Sequence, residues 1–199
     1  MDDFQGIQFS GKITAALTHE LRNVLAVIRE TGGLMQDVMA LTASSGHGDE
    51  RIRKGFQTIG EQVLRGSELM DRLNRFAHTP DRPEEFFDMA EAAKEFFLLT
   101  ERFCRLKRIE ILPETEALSI YFTASRFYFF VALFTALEMC LSLPEGSRIP
   151  VSFSRDRGVL FHGDMVSDGI CMELAGGFFV KGDSDGVRVL SGAMVQNVS

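Results

Sequence analysis

The stretch from Ile13 to Val38 reads ITAALTHELRNVLAVIRETGGLMQDV, and its apolar residues Ile13, Leu17, Leu21, Val24, Ile28, Met35 and Val38 recur at steps of three, four or seven. That spacing gathers them on one narrow side of a helix with about 3.6 residues per turn. A second series, Ile52, Phe56, Ile59, Val63, Met70, Leu73 and Phe76, repeats the pattern, with Ser67 at the missing step. Between the two lies Ser44-Ser45-Gly46-His47-Gly48-Asp49, a turn by composition. The spacing predicts an antiparallel helical hairpin over residues from about 9 to 79. Two helices with so regular a seam form a poor unit alone, and the economical completion is a homodimer with a four-helix bundle.

Within the first helix the polar residues also have places. With Leu17 at zero on a wheel of about 100° per residue, the seam residues Leu21, Val24 and Ile28 stay within about 40° of it. His19 falls near 200°, Asn23 near 240° and Glu20 near 300° by the same count. The histidine faces away from the seam, the amide lies one turn along, and the carboxylate sits beside it. A neutral imidazole is a nucleophile, and the nitrogen that attacks is decided by where the proton sits. A neighbouring carboxylate fixes that tautomer or accepts the proton. The amide is placed to position a water for the reverse hydrolysis.

Thr79-Pro80-Asp81-Arg82-Pro83 breaks the helical pattern. The chain is therefore divided into a hairpin over 1–79, a linker over 80–86 and a second domain over 87–199. In the second domain the pattern predicts a helix from Met89 to Lys107 and a strand over Ile109–Leu112. A short apolar run at Leu118–Phe122 and a strongly apolar helix from Ser125 to Leu143 follow. Glycine-separated β-like segments close the chain: Val151–Phe153, Val159–Phe161, Ile170–Leu174, Phe178–Val180 and Val187–Leu190. The fold class expected is α+β, with a few-stranded antiparallel sheet carrying two helices on one face.

The 199 residues are 45% hydrophobic and 25% charged, the balance of an ordinary globular protein. A net charge of −7 argues against a duplex nucleic-acid binder, which needs a basic surface to neutralise phosphates. Apolar runs fall short of the roughly 18 to 20 residues that span a bilayer, and the acidic start Met1-Asp2-Asp3-Phe4 is unlike a secretory signal. A cytoplasmic location without a membrane segment is the expectation. Cys104, Cys140 and Cys171 are read as small buried hydrophobes, without metal-ligand spacing. His47 reads as loop composition, His78 as a favourable helix-end charge and His162 as a strand-end turn. Phe127, Tyr128, Phe129 and Phe130 read as packed core.

His19-Glu20-Leu21-Arg22-Asn23, with Leu25 two residues on, resembles the phosphoacceptor box of bacterial sensor histidine kinases, in their dimerisation and histidine-phosphotransfer domain. The resemblance implies that His19 is phosphorylated, that Glu20 is its acid/base partner, and that Asn23 supports phosphatase activity. Arg22 is a family residue without an assigned chemical role. It joins Ala26, Val27 and Glu30 in the set expected to meet a partner, Val27 being an apolar residue outside the seam. Val24 departs from the family, which commonly has a helix-bending proline there.

The second half resembles, more weakly, the kinase ATP-binding domain, up to Pro144-Glu145-Gly146-Ser147-Arg148-Ile149. Phe134 and Glu138 stand where active kinases place the asparagine that holds magnesium. Asp164-Met165-Val166-Ser167-Asp168-Gly169 lacks the glycine spacing of the adenine box, and Gly182, Asp183, Ser184, Asp185 and Gly186 resemble a polar hairpin rather than a phosphate loop. The implied fold is a dimeric four-helix bundle followed by a degenerate histidine-kinase-type α/β sandwich. The implied function is that of a histidine phosphotransferase relaying phosphate between response-regulator receiver aspartates, with no cofactor of its own and magnesium supplied by the receiver. A divergent active kinase, a response-regulator phosphatase and a non-catalytic dimeric scaffold remain as alternatives.

Overall fold

The computed structural model describes residues 2–42, 49–114, 119–156, 158–163 and 170–192. The chain divides into two compact units, one of Thr14–Ala77 and one of Met1–Ile13 with His78–Ser199. Helix α1 (Asp2–Thr42) runs through both, and α2 (Asp49–Ala77) belongs to the first. The expected start near residue 9 is thus seven residues late. The physical reason lies in Gly6, Phe9 and Ile13, whose burial in the second unit keeps the first turns helical.

In the helical unit the first seam is where its spacing put it. Leu17, Val24, Met35 and Val38 are buried, and Leu21 and Ile28 are half-buried. Small residues on α2 let the helices approach. A Cβ at Gly55 would collide with the Met35 thioether, and one at Gly66 would lie 3.3 Å from Val24 Cγ1. Eleven residues separate the two contacts on each helix, so both belong to one antiparallel register. The second seam departs from expectation. Leu69 and Phe76 are buried, whereas Phe56, Val63 and Met70 are 64%, 51% and 53% exposed. Counting from Gly55, these three lie about 60–100° round the helix from the face that meets α1. The periodic apolar series on α2 is therefore two adjoining stripes, of which one faces α1. The turn residues 44–48, with His47, fall outside the described residues.

The second unit is an α+β layer structure. Its elements are β1 (Glu85–Asp88), α3 (Met89–Lys107), β2 (Glu110–Pro113), β3 (Tyr121–Ala124), α4 (Arg126–Cys140), β4 (Arg148–Ser154), β5 (Gly158–His162), β6 (Cys171–Leu174), β7 (Phe178–Asp183) and β8 (Gly186–Ser191). A short 3₁₀ turn over Thr79–Asp81 precedes them. Strands β1 and β3 pair antiparallel, and a six-stranded sheet runs β2-β4-β5-β8-β7-β6. The sheet is larger than expected and not purely antiparallel, because β2 runs parallel to β4. The chain between these two strands, with β3 and α4, makes the crossover that a parallel pairing requires.

Alternation explains the core. Ile149, Val151, Val159, Phe161, Phe178, Val180, Val187 and Val189 are buried on one face of the sheet, and Phe96, Phe129, Phe130, Leu133 and Leu137 of the helices are buried as well. The caps are local. Asp88 Oδ1 accepts from the Glu91 N–H at 2.9 Å, and Ser125 Oγ accepts from the Tyr128 N–H at 3.4 Å. Arg126 joins three elements, pairing with Glu85 at 2.5 Å and Glu95 at 3.0 Å. The polar 182–186 segment is a hairpin turn, with Asp183 opposite Gly186. There burial pushes the Asp183 carboxyl up, but hydrogen bonds from Arg188 and the backbone hold it below its ordinary value.

The cysteines divide. Cys104 and Cys140 are buried, but Cys171 is exposed, because on edge strand β6 it points away from the face on which Leu174 is buried. Burial pushes the Cys104 thiol up to about 11 and the Cys140 thiol up to about 12. Both stay protonated and unreactive near neutrality. A thiol-specific disulfide reagent at pH 8 is therefore expected to label the native protein at Cys171 alone and all three cysteines after denaturation. Rapid native labelling of Cys104 or Cys140 would contradict this packing.

Candidate functional site

The site residues named from the sequence all lie on one continuous helix. His19, Arg22, Asn23, Val27 and Glu30 are exposed, and Glu20 and Ala26 are half-buried. Helical geometry brings His19 and Asn23 together one turn apart, with Glu20 adjacent in sequence on the side nearer the seam. Val27 is 37% exposed. An imidazole presented to solvent in this way is open to an incoming electrophile. Beside it stand a carboxylate and an amide, the groups that proton control and water positioning require.

The flank below the histidine continues into a groove. Thr31, Leu34, Met35 and Val38 of α1 and Arg51, Lys54, Gly55 and Thr58 of α2 line a depression of about 410 Å³. Measured from Met35, Asn23, Val27 and Leu34 lie about 80–120° round α1 on one side, the side on which the groove opens. Leu34 is 64% exposed, and about 22 Å of helix separates it from His19. The groove has an apolar floor and two cations, Arg51 and Lys54. Sequence reasoning missed these residues. The signal available was Val27, Leu34 and Leu41, apolar residues seven apart and off the seam.

The opposite flank is different in character. Phe56, Val63 and Met70 on α2, with Leu25 and Met39 on α1, are each more than half exposed. Measured from the α1–α2 contact they all lie on the side away from the groove. This is a long apolar face at heptad spacing, the pattern of a seam between helices.

In the other unit, the two α4 positions singled out from the sequence are both engaged. Phe134 is buried, its ring 5.1 Å from Phe9 and 5.5 Å from Phe103. Glu138 pairs with Lys12, whose ammonium also lies 5.2 Å from the Phe134 ring centre. Phe129 and Phe130 are core, as expected, while Phe127 and Tyr128 are half-buried. Residues 164–169 lie outside the described residues. His162 Nε2 is 2.7 Å from Ser152 Oγ on the neighbouring strand, and exposed His78 Nδ1 is 2.7 Å from Asp81 Oδ2; neither gathers further chemistry. Among the described residues no three His, Cys, Asp or Glu side chains group to hold a metal ion, and no helix is long and apolar enough to cross a membrane.

No family model matches the sequence, and no curated protein does. Solved structures give faint likenesses. The histidine kinase AdeS of Acinetobacter baumannii is 12% identical, with 86% of this chain and 94% of that one covered and a TM-score of 0.37. The histidine kinase ThkA, solved in complex with the response regulator protein TrrA, is 16% identical, with 92% of this chain and 61% of that one covered and a TM-score of 0.37. At this level of superposition neither neighbour decides the fold or the chemistry of this chain.

Exposed polar residues outside any packing contribute little to stability. His19→Gln and Asn23→Ala are each expected to change unfolding free energy by less than about 0.5 kcal/mol in urea titration. A loss of several kcal/mol for His19→Gln would mean that the ring is held in packing rather than offered to a partner.

Proposed function

We propose that this protein is a dimeric histidine phosphotransferase of two-component signalling, passing phosphate between receiver-domain aspartates through His19. The observation that carries the reading is the exposed imidazole of His19 at the head of a stripe that runs through Asn23 and Val27 into the Leu34–Lys54 groove. In the first step an imidazole nitrogen of His19 attacks the phosphorus of an aspartyl phosphate. The N–P bond forms as the bond to the aspartyl oxygen breaks, leaving free carboxylate and phosphohistidine. Glu20 holds the proton on the other ring nitrogen, which fixes the tautomer. Transfer to a second aspartate reverses these bonds, and the receiver supplies the magnesium. Asn23 is the residue placed to orient a water where hydrolysis competes.

The stripe of Asn23, Ala26, Val27 and Glu30, with Arg22 at its edge, receives the partner, and the groove extends it. A receiver helix with an apolar ridge and acidic neighbours fits the floor and the cations Arg51 and Lys54. The opposite flank takes a second copy of the chain. Pairing of Phe56, Val63 and Met70 with their symmetry mates completes a four-helix bundle and covers apolar surface that a single hairpin leaves in water. Phosphate drawn from a receiver rather than from ATP is supported by α4, where a buried Phe134 and an ion-paired Glu138 occupy the positions that the kinase family gives to asparagine.

Mixing the protein with receiver domains bearing ³²P-aspartyl phosphate is expected to place acid-labile, alkali-stable label on the wild type and none on His19→Gln. Glu20→Gln is expected to slow transfer by about 10²–10⁴, while Asn23→Ala leaves transfer intact. Labelling of His19 by ATP and magnesium without any receiver would identify a kinase instead, and no label from any phosphorylated receiver would leave a scaffold. The dimer is checked separately. Val63→Asp with Met70→Asp is expected to yield monomers in sedimentation equilibrium, and an unchanged mass would remove the bundle from the account.

A further inference from the structure

Helix α4 is apolar around its whole circumference, from Phe127 through Phe129, Phe130, Val131, Leu133, Phe134 and Leu137. A helix of that kind needs cover on every side. The sheet, with α3, covers part of it, and the remaining side is met by the first turns of α1. The Phe9 ring is 6.1 Å from Phe127 and 5.1 Å from Phe134, and Phe9 itself is 2% exposed. Gly6 is close enough to Phe127 that a Cβ there would lie 3.0 Å from its ring. Lys12 ends the contact, lying over the Phe134 ring and pairing with Glu138. The three contacts recur every three residues, one strip of a helix laid along another.

We infer that α4 carries a helix-docking face whose partner is the Gly6-x-x-Phe9-x-x-Lys12 strip of this same chain. Docking there makes the start of the His19-bearing helix a working part of the second unit. Phe9 supplies the burial, while the Lys12–Glu138 pair, half in solvent, sets register and orientation more than strength. The seat is not tightly sealed. A cleft of about 450 Å³ runs beside it, lined by Ile7, Ser10, Pro80, Pro83, Ser125 and Tyr128 among others. The inference does not depend on phosphotransfer, because it concerns packing within one unit.

Hydrogen exchange on the full chain tests it. Phe9→Ala is expected to speed exchange of amides in residues 5–13 and 129–140 by on the order of a hundredfold, with β4 and β5 little changed. Because that variant can lose more than local structure, the charge pair gives a second arm. Lys12→Glu is expected to speed exchange of the same two segments severalfold, and Lys12→Glu with Glu138→Lys to restore it. Unchanged exchange in residues 129–140 for Lys12→Glu, or failure of the double variant to restore it, overturns the inference, whatever Phe9→Ala does.

Discussion

The antiparallel register between α1 and α2 is the constraint on which the rest depends. Met35 against Gly55 and Val24 against Gly66 fix it at two points, and once it is fixed every other residue of the hairpin has its side assigned. Leu17, Val24 and Val38 turn inward, so His19 must turn outward, because a helix allows no other arrangement at that separation. A Cβ at Gly55 would have to displace the Met35 side chain, and one at Gly66 would need Val24 to give by a few tenths of an ångström. The same register sorts the two flanks, leaving a groove with Arg51 and Lys54 on one and an apolar face with Phe56, Val63 and Met70 on the other. One packing relation thus turns an imidazole to solvent and sorts two unlike flanks.

Much of this was legible in the sequence because it rests on periodicity. The α1 seam and the outward His19 follow from spacing alone. So do α3, whose ends match the expected Met89 and Lys107, and the short strands bounded by glycine. What spacing cannot convey is which of two possible partners covers an apolar residue. Phe56, Val63 and Met70 carry the same period as Leu69 and Phe76, yet face away from α1. Similarly, the first turns of α1 carry no strong seam signal. Gly6, Phe9 and Lys12 make sense only against α4, more than a hundred residues further along the chain. The parallel pairing of β2 with β4 and the exposure of Cys171 are likewise long-range outcomes that a local pattern does not encode.

The two units contribute different kinds of chemistry. The hairpin carries His19 and Asn23 exposed at its surface, with Glu20 half-buried beside them. The second unit buries many of its aromatic residues and engages charges in pairs such as Arg126–Glu85, Arg188–Asp183 and Lys12–Glu138. On α4, Phe134 is a phenyl ring in the core and Glu138 a carboxylate paired with Lys12.

Under the proposed function, His19 takes phosphate from an aspartyl phosphate and holds it as a phosphoramidate. Phosphorus-31 NMR of the full chain mixed with a phosphorylated receiver addresses it without labels or quenching. A single P–N resonance is expected to appear as the acyl-phosphate signal declines and to be missing from the His19→Gln protein. An acyl-phosphate signal that decays only to inorganic phosphate, with no P–N resonance at any time, would contradict it.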